Sequence, residues 1–175
     1  FDMPITRDAV RTYYDQNTNL FLKFRRRNAG KAENIHRSLW TDGAQTLDEA
    51  LNVSNALILK EIESVAPAGA RCADLGCGLG ASLFYIYPRL QEPAPALGLT
   101  LSPLQAKLAQ ESAEQSGLQD QILFVEGDFT AVPLANNLDA VYSVEALAHA
   151  LEPEKYFLEA GRLLQRGGKL ILVDD

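Results

Sequence analysis

Hydrophobic residues repeat at two different spacings along the chain. Between Thr46 and Pro67 they recur at helical intervals, at Leu47, Leu51, Ile58, Ile62 and Val65. The letters "TLDE" at residues 46–49 match a capping box, in which Thr and Glu side chains bind free N–H groups of the first helical turn. Together these features predict one amphipathic helix that begins after Thr46 and ends at Pro67.

Short apolar runs alternate with helical segments after this helix. In chain order the runs are "RCADLG", "ASLFYIY", "ALGLTL", "ILFVEG", "LDAVYSV" and "KLILVD", and helices are predicted from Pro103 and near residues 154–165. Strands that alternate with helices form βαβ units, whose strands are parallel. We therefore predict an α/β fold. The first 45 residues lack this alternation and are predicted to form a helical segment that precedes a sheet domain at residues 46–175.

The helix after the second strand has the clearest boundaries. Ser102 can cap it, Pro103 takes the first helical position, Gln105 completes a capping box and Gly117 follows the end. The helix therefore starts at the carboxyl end of a strand. In open α/β sheets ligands bind just outside these ends, so we expect the loops after the first three strands to face one crevice.

The first of these loops reads "ADLGCGLGAS", residues 73–82. Its letters "GCGLGA" satisfy the dinucleotide-binding pattern G-x-G-x-x-G/A with Gly76, Gly78 and Ala81. Asp74 argues against NAD, because a carboxylate two residues before Gly76 repels a diphosphate and attracts an ammonium group. The pattern alone leaves an NAD-type oxidoreductase open as an alternative.

The next two loops also differ from an NAD site. At the end of the second strand, "GLTLSPLQ" offers only Thr100, Ser102 and Gln105, without the Asp or Glu that binds the ribose of NAD. After the third strand, "EGDF" supplies Asp128 to accept an exocyclic amine and Phe129 to stack on a purine. These neighbours favour an aminoacyl adenosine; for Phe129, packing in the core is an equal alternative.

Composition limits the partners. The chain has 175 residues, of which 47% are hydrophobic and 22% charged, as in an ordinary soluble domain. A net charge of -7 argues against nucleic-acid and anionic-membrane binding and favours a small-molecule ligand. Cys72 and Cys77 are too few for a disulfide framework and have no His at metal-ligand spacing, so we expect a reducing compartment and no metal. With no signal peptide or long apolar span, a cytoplasmic location is expected.

From about residue 46 to the end, the chain resembles the class I S-adenosylmethionine-dependent methyltransferases. "DLGCGLG" is similar to their first motif, "GDF" to their adenine-side motif, and "LLQRGGKLILVDD" to their L-x-P-G-G-x-L element, with Arg166 in place of the usual proline. "GLTLSPLQ" and "SVEALAHA" resemble the small-molecule branch, which includes tocopherol, sterol, sarcosine and natural-product methyltransferases and cyclopropane fatty acid synthases. The resemblance implies a Rossmann-like, doubly wound, mostly parallel sheet with helices on both faces and a helical N-terminal cap.

It also implies S-adenosylmethionine as cofactor, a small-molecule acceptor with an O, N or C nucleophile, and a set of site residues. Asp74 would anchor the amino group, the glycines of the loop would pass under the methionine and ribose, and Ser143 would lie beside the sulfonium. The full set implied for the cofactor is Asp74, Gly76, Cys77, Gly78, Gly80, Thr100, Leu101, Gln105, Gly127, Asp128, Phe129 and Ser143. For Cys77, a small residue within the loop is an alternative reading.

The catalytic half contains one histidine. Methyl transfer is an in-line displacement that needs alignment and a dry pocket, and an oxygen acceptor also needs a base. His149 follows the fourth strand and is the predicted base, with Asp174 or Asp175 to orient it; a role on the helix surface is an equal alternative. His36, together with Tyr13, Tyr14 and Trp40, is predicted to form a lid, and core packing is the alternative for these aromatics.

Two further classes and one structural expectation stay open. A non-catalytic S-adenosylmethionine-binding module is possible because the substrate half is short, whereas a nucleic-acid methyltransferase is disfavoured by charge and by "SVEA" after strand four. The chain stops directly after the apolar fifth strand, residues 170–173, although the fold it resembles continues with a helix and two strands. We expect a further segment of roughly 80 to 120 residues, or a second chain in a homo-oligomer, to cover this edge.

Overall fold

The described chain consists of five α-helices and five strands. A computed structural model describes residues 6–28, 37–41 and 43–174, for residues 21–28 the backbone only. The elements, in order, are α1 (Arg7–Asn28), α2 (Leu47–Val65), β1 (Cys72–Leu75), α3 (Ala81–Ile86), β2 (Ala96–Thr100), α4 (Pro103–Gln115), β3 (Ile122–Glu126), β4 (Leu138–Val144), α5 (Pro153–Leu163) and β5 (Leu164–Val173). Two 3₁₀ turns, Tyr87–Arg89 and Leu147–His149, follow α3 and β4. None of the described helices is long and apolar enough to cross a bilayer.

The strands form one parallel sheet in the order β3-β2-β1-β4-β5. Asp74 in β1 is paired with Gly98 in β2 and with Tyr142 in β4. Along the chain, β2 and β3 are therefore added on one side of β1, and β4 and β5 are then added on its other side. The carboxyl ends of β1 and β4 meet at this reversal, which is where doubly wound sheets bind ligands.

Hydrophobic cores cover both faces of the sheet, as predicted. One core joins α2, α3 and α4 to the sheet and includes the fully buried Ile58, Ile62 and Leu83. The other core joins α5 to the opposite face and includes Tyr156 and Leu163. The predicted α/β class, with a doubly wound parallel sheet and helices on both faces, is confirmed.

The starts of α2 and α4 agree with the sequence prediction, except for one hydrogen bond at the start of α4. The capping box of α2 is present, because Glu49 N–H donates to Thr46 Oγ1 over 3.2 Å and Thr46 N–H donates to Glu49 Oε2 over 3.0 Å. Ser102 caps α4 by accepting the N–H of Gln105. The predicted second half of that box was wrong: the Gln105 amide binds Thr100 and Thr18 instead.

The fifth strand starts earlier than the sequence pattern indicates. The helix predicted near residues 154–165 ends at Leu163, and β5 begins at Leu164. Leu138 is paired with Leu164 and Ala140 with Lys169, so β5 has three extra residues between these pairs. This irregularity accommodates Gly167 at φ +84°. Among the described strands β5 forms one edge of the sheet, and what covers it remains a prediction.

A buried carboxylate joins the starts of β1, β4 and β5. Asp139 accepts the backbone N–H of Arg71 over 2.9 Å, its Nε–H over 3.1 Å and the amide of Gln165 over 2.5 Å. Burial opposes ionisation of Asp139, but the hydrogen bonds and charge of Arg71 outweigh burial and hold its pKa below the ordinary value. The carboxylate thus fixes the strand ends opposite the crevice.

Replacing this carboxylate should weaken the fold. We expect Asp139→Ala to lower the free energy of unfolding by about 2 to 3 kcal/mol near neutral pH, because the donors of Arg71 and Gln165 lose their acceptor. Since the folded-state pKa is lowered, this stabilisation is present above the unfolded pKa and is lost as pH falls through the folded one. Urea unfolding at several pH values measures this, with Asp120→Ala on an exposed turn as control. Equal losses in the two variants would contradict it.

Candidate active site

A cavity of about 590 Å³ lies at the carboxyl ends of the strands. The loops after β1, β2, β3 and β4 form its floor and sides, and α1 forms its roof. The predicted site residues that line it are Asp74, Gly76, Cys77, Gly78, Thr100, Leu101, Gln105, Gly127, Asp128, Phe129 and His149. Gly80, Ser143 and Asp174 are not among its lining residues. His36 and Asp175 lie outside the described residues.

The glycine loop turns in a space that excludes side chains. Gly76 has φ +102°, and a Cβ atom at this position would collide with the side chain of Ala146 after β4. The N–H groups of Gly76 and Cys77 both donate to the carbonyl of Leu99, over 2.7 and 2.9 Å. The backbone is therefore held between β2 and the β4 loop, and leaves the cavity open above it.

Gly80 has a packing role. A Cβ atom here would lie 2.6 Å from the ring of Phe124, which fills the space beneath the loop. Gly80 was predicted to pass under the ligand. The sequence pattern could not separate the two roles, because the ring that needs this space comes from β3, forty-four residues later.

Asp74 is a buried carboxyl group that faces the cavity. Its residue is 2% exposed, and burial raises its pKa to about 8. Among the described residues, no side chain or backbone N–H donates a hydrogen bond to it. A buried carboxylate without a donor is unfavourable unless a cation or a proton joins it. The position therefore suits a ligand with an ammonium group.

Side chains after β2 bind one another and α1. Thr100 Oγ1 donates to Gln105 Oε1 over 2.8 Å, and Gln105 Nε2 donates to Thr18 Oγ1 over 3.0 Å. Ser102 also donates its hydroxyl to Asp15 on α1. Thr100 and Gln105 line the cavity as predicted, but their polar groups already have partners, and they connect α1 to the site.

Asp128 also has partners. Its Oδ1 atom accepts the N–H and the hydroxyl of Thr130, over 2.8 and 2.7 Å, and its Oδ2 atom pairs with Arg7 of α1 over 2.5 Å. Phe129 packs edge-to-face against Tyr156, with ring centroids 5.1 Å apart, and also lines the cavity. The two readings of Phe129 are thus compatible, since one part of the ring packs in the core while another part borders the cavity.

Ser143 lies in the core, although it was predicted beside a sulfonium. Its hydroxyl is hydrogen-bonded to that of Tyr156 over 2.9 Å, and the residue is buried. Successive strand residues point to opposite faces of the sheet. Because Val141 packs against α5, Ser143 two residues later points the same way.

His149 lies on the turn after β4, and Asp174 binds the backbone of the same turn. His149 is exposed, lines the cavity and contacts Tyr14 edge-to-face, with ring centroids 5.5 Å apart. Asp174 accepts the backbone N–H groups of Leu147 and Ala148, over 2.8 and 3.3 Å. Its carboxylate was predicted to orient the imidazole ring; through these bonds it fixes the backbone that carries His149.

Arg7 and Glu145 line the cavity although neither is a predicted site residue, and Tyr14, predicted only for a lid, lines it too. Burial raises the pKa of Tyr14 to about 12, with Tyr13 and Asp174 adding to the effect. Glu145 has φ +49° and accepts the backbone N–H of Arg37 over 2.8 Å. Nothing in the local sequence marks these residues, because each reaches the cavity through a long-range contact. Of the other predicted lid residues, Tyr13 lines the cavity and Trp40 does not.

Comparisons with known proteins agree with this geometry. Residues 73–172 match the family described as "Methyltransferase domain". Erythromycin 3''-O-methyltransferase of Saccharopolyspora erythraea is 33% identical over 80% of this chain and 45% of its own. Two solved structures are also similar: the [4+2]-cyclase SpnF (TM-score 0.82, 26% identity, 95% of this chain and 60% of that one) and a geranyl diphosphate methyltransferase in complex with GPP and sinefungin (TM-score 0.78, 18% identity, 95% and 65%).

The match places the chain in a family, although it covers only part of its relatives. The chain spans between 39% and 51% of the length of three curated relatives. The matched residues run from the glycine loop to β5 and so include the floor of the cavity. The chain belongs to the methyltransferase domain family and has the class I S-adenosylmethionine-dependent methyltransferase fold.

Proposed function

We propose that the protein transfers a methyl group from S-adenosylmethionine to a small-molecule acceptor by in-line displacement. The observation that carries this proposal is the buried carboxyl group of Asp74, which faces the cavity beside the glycine loop and has no described donor. The cofactor carries an ammonium group that can supply the missing partner. The family match supports the same activity.

The described residues fit this cofactor. Asp74 would bind its ammonium group, Gly76 and Gly78 would let the backbone approach it, and Asp128 with Phe129 would bind its adenine. The bound cofactor supplies an electrophilic methyl group. The chain's own contribution is to align the two ligands and exclude water, which accounts for most of the acceleration of such a displacement.

His149 is the proposed base for a hydroxyl acceptor. Its ring borders the cavity, and contact with Tyr14 limits its orientation. Asp174 acts as a positioning residue through the backbone of Leu147 and Ala148. An acceptor proton would move to the imidazole as the oxygen attacks, and from there to water.

The NAD-type alternative is not favoured, because a diphosphate in this cavity would face the carboxylates of Asp74 and Asp128. A second candidate is cyclisation without methyl transfer, favoured by the similarity to the cyclase SpnF over 95% of this chain. A non-catalytic binding module is the third. We further propose a cytoplasmic protein without nucleic-acid partners, on the basis of the net charge of -7 and two buried free cysteines.

Product analysis separates these candidates. The protein is incubated with S-adenosylmethionine and a metabolite extract, and products are followed by mass spectrometry. Methyl transfer gives S-adenosylhomocysteine and an acceptor heavier by one methylene unit in equal amounts. Cyclisation gives an isomer of unchanged mass without S-adenosylhomocysteine. Binding of S-adenosylhomocysteine with no product of either kind would contradict an enzymatic role.

The carboxyl group of Asp74 should cost stability and favour cofactor binding. Its pKa is 3.8 in the unfolded chain and about 8 in the fold, so the ligand-free protein loses stability as pH rises between these values. We expect the advantage of Asp74→Asn in unfolding free energy to grow by about 2 to 4 kcal/mol from about pH 5 to pH 8. Binding of S-adenosylmethionine should weaken in the same variant.

Thermal and urea unfolding across this pH range measure the first effect, and calorimetry measures the second. Asp139→Ala serves as a comparison of opposite sign, because the pKa of Asp139 is lowered. A difference between Asp74→Asn and the wild type that stays constant with pH would refute the prediction.

Removal of Asp128 should weaken cofactor binding. We expect Asp128→Ala to reduce the affinity for S-adenosylhomocysteine by roughly 1 to 3 kcal/mol, because the adenine amine loses its acceptor. Glu126→Ala is the matched control. Glu126 lies two residues before Asp128 and is also paired with an arginine of α1, Arg11, but it does not line the cavity. If calorimetry gives Asp128→Ala the affinity of the wild type, Asp128 has no part in binding.

His149→Ala should affect turnover and leave donor affinity unchanged. For a hydroxyl acceptor we expect kcat to fall by about 10²- to 10⁴-fold, the usual contribution of a general base. Added imidazole should restore part of the rate, which a purely structural role would not produce. An unchanged kcat would leave His149 with a structural role only.

A further inference from the structure

We propose that the acceptor is an apolar alcohol or an apolar amine, which can bind as its ammonium form but loses a proton before its nitrogen attacks, and that phosphorylated and carboxylated acceptors are excluded. This inference deepens the proposed function and rests on it. Sheet order, the apolar surface of the cavity and the distribution of its charges each support the inference.

The sheet order defines which end of the cavity receives the acceptor. The loops after β1, β2 and β3 carry the residues assigned to the cofactor, and β3 and β2 lie on one side of β1. On the other side of β1 the cavity is bordered by residues 145–152 after β4 and by Tyr14 of α1, which packs on His149. The acceptor end is therefore the end next to β4.

Large apolar side chains are exposed at this end. Tyr13, whose ring contacts Tyr14, is 57% exposed and Leu151 is 49% exposed, and both line the cavity. Ligand pockets are mostly apolar, with a few polar groups that fix orientation. An acceptor that buries these side chains gains hydrophobic stabilisation in proportion to its own apolar surface.

Charges at the same end are negative. Glu145 and Glu152 line the cavity after β4, and the carboxyl group of Asp74 lies at its floor. Glu145 accepts a backbone N–H, a neutral donor, whereas Glu152 is paired with Lys155 at the exposed start of α5. An anionic acceptor would thus approach the carboxylates of Glu145 and Glu152, which repel it and attract a protonated amine, whereas Asp74 is assigned to the ammonium group of the cofactor.

The cation that lines the cavity lies at the opposite end. Among the described lining residues Arg7 alone carries a fixed positive charge, and it is paired with Asp128 after β3. Phosphates and carboxylates are bound by Arg and Lys side chains or by free N–H groups. The similar structure of a geranyl diphosphate methyltransferase contains GPP. The fold is therefore compatible with a diphosphate, and the charges at this chain's acceptor end argue against one.

Three probes with one apolar chain test the inference: geraniol, geranylamine and geranyl diphosphate. Their binding is measured by calorimetry, with and without saturating S-adenosylhomocysteine. We expect geraniol and geranylamine to bind at least about 10-fold more tightly than the diphosphate, and geranylamine to bind at least as tightly as geraniol. The preference for the amine over the diphosphate should shrink as salt is added.

Two variants identify the source of the preference. Glu145→Gln combined with Glu152→Gln should reduce the ratio of amine to diphosphate affinity by about 10-fold. Glu154→Gln is the matched control, because Glu154 is exposed on α5 and is not a lining residue. If the double variant does not fold, Glu152→Gln alone is used, because Glu152 is exposed. We expect this variant to reduce the ratio of amine to diphosphate affinity by a smaller factor.

The inference is overturned if the diphosphate binds as tightly as geraniol, if neither geraniol nor geranylamine binds, or if the control changes the ratio as much as the double variant. Failure of the proposed function has a different signature, namely absence of S-adenosylhomocysteine binding while the probes keep their expected order. If S-adenosylhomocysteine binds but the diphosphate binds more tightly than geraniol and geranylamine, the methyltransferase function stands and only the proposed preference for uncharged or cationic acceptors is rejected.

Discussion

The contact between Gly76 and Ala146 determines how close the two halves of the sheet come at the ligand site. Gly76 follows β1 and Ala146 follows β4, and no side chain fits between them at Gly76. The N–H groups of Gly76 and Cys77 bind Leu99 of β2 at the same point. The glycine loop is thus bonded to β2 through backbone and lies against the turn after β4, which carries His149.

This tight arrangement has an energetic consequence at Asp74. The carboxyl group is buried beside the glycine loop, where it faces the cavity, and burial raises its pKa to about 8. A neutral residue of similar size would make a more stable fold without ligand, which supports the proposed role of the acid in binding a cation. A cationic ligand restores the ionised form, because opposite charge favours ionisation where desolvation opposes it. Ligand binding and proton release are therefore coupled at this residue.

The sequence predicted those features that depend on local periodicity, and its errors come from contacts between distant residues. Alternating strands and helices predicted the sheet, and "TLDE" predicted the start of α2 at Thr46. Gly80 and Ser143 were assigned to the ligand because they lie within the motif or next to it. In the fold, Gly80 leaves space for the ring of Phe124, and Ser143 is hydrogen-bonded to the hydroxyl of Tyr156, so their assignment to the ligand stays a prediction. A motif gives the order of residues along the chain, whereas the face of the sheet to which each one points depends on packing.

A helical N-terminal segment was predicted, but the contacts of α1 were beyond local reasoning, because its partners lie far along the chain. Its polar contacts run across the site, from Arg7 with Asp128 and Arg11 with Glu126 to Thr18 with Gln105. Exposed ion pairs such as the first two contribute little stability. The helix is therefore held weakly at the β3 end, where Arg7 shares Asp128 with the proposed adenine site, while Tyr14 packs on His149 near β4. One helix therefore contacts both the proposed cofactor end and the proposed acceptor end of the cavity.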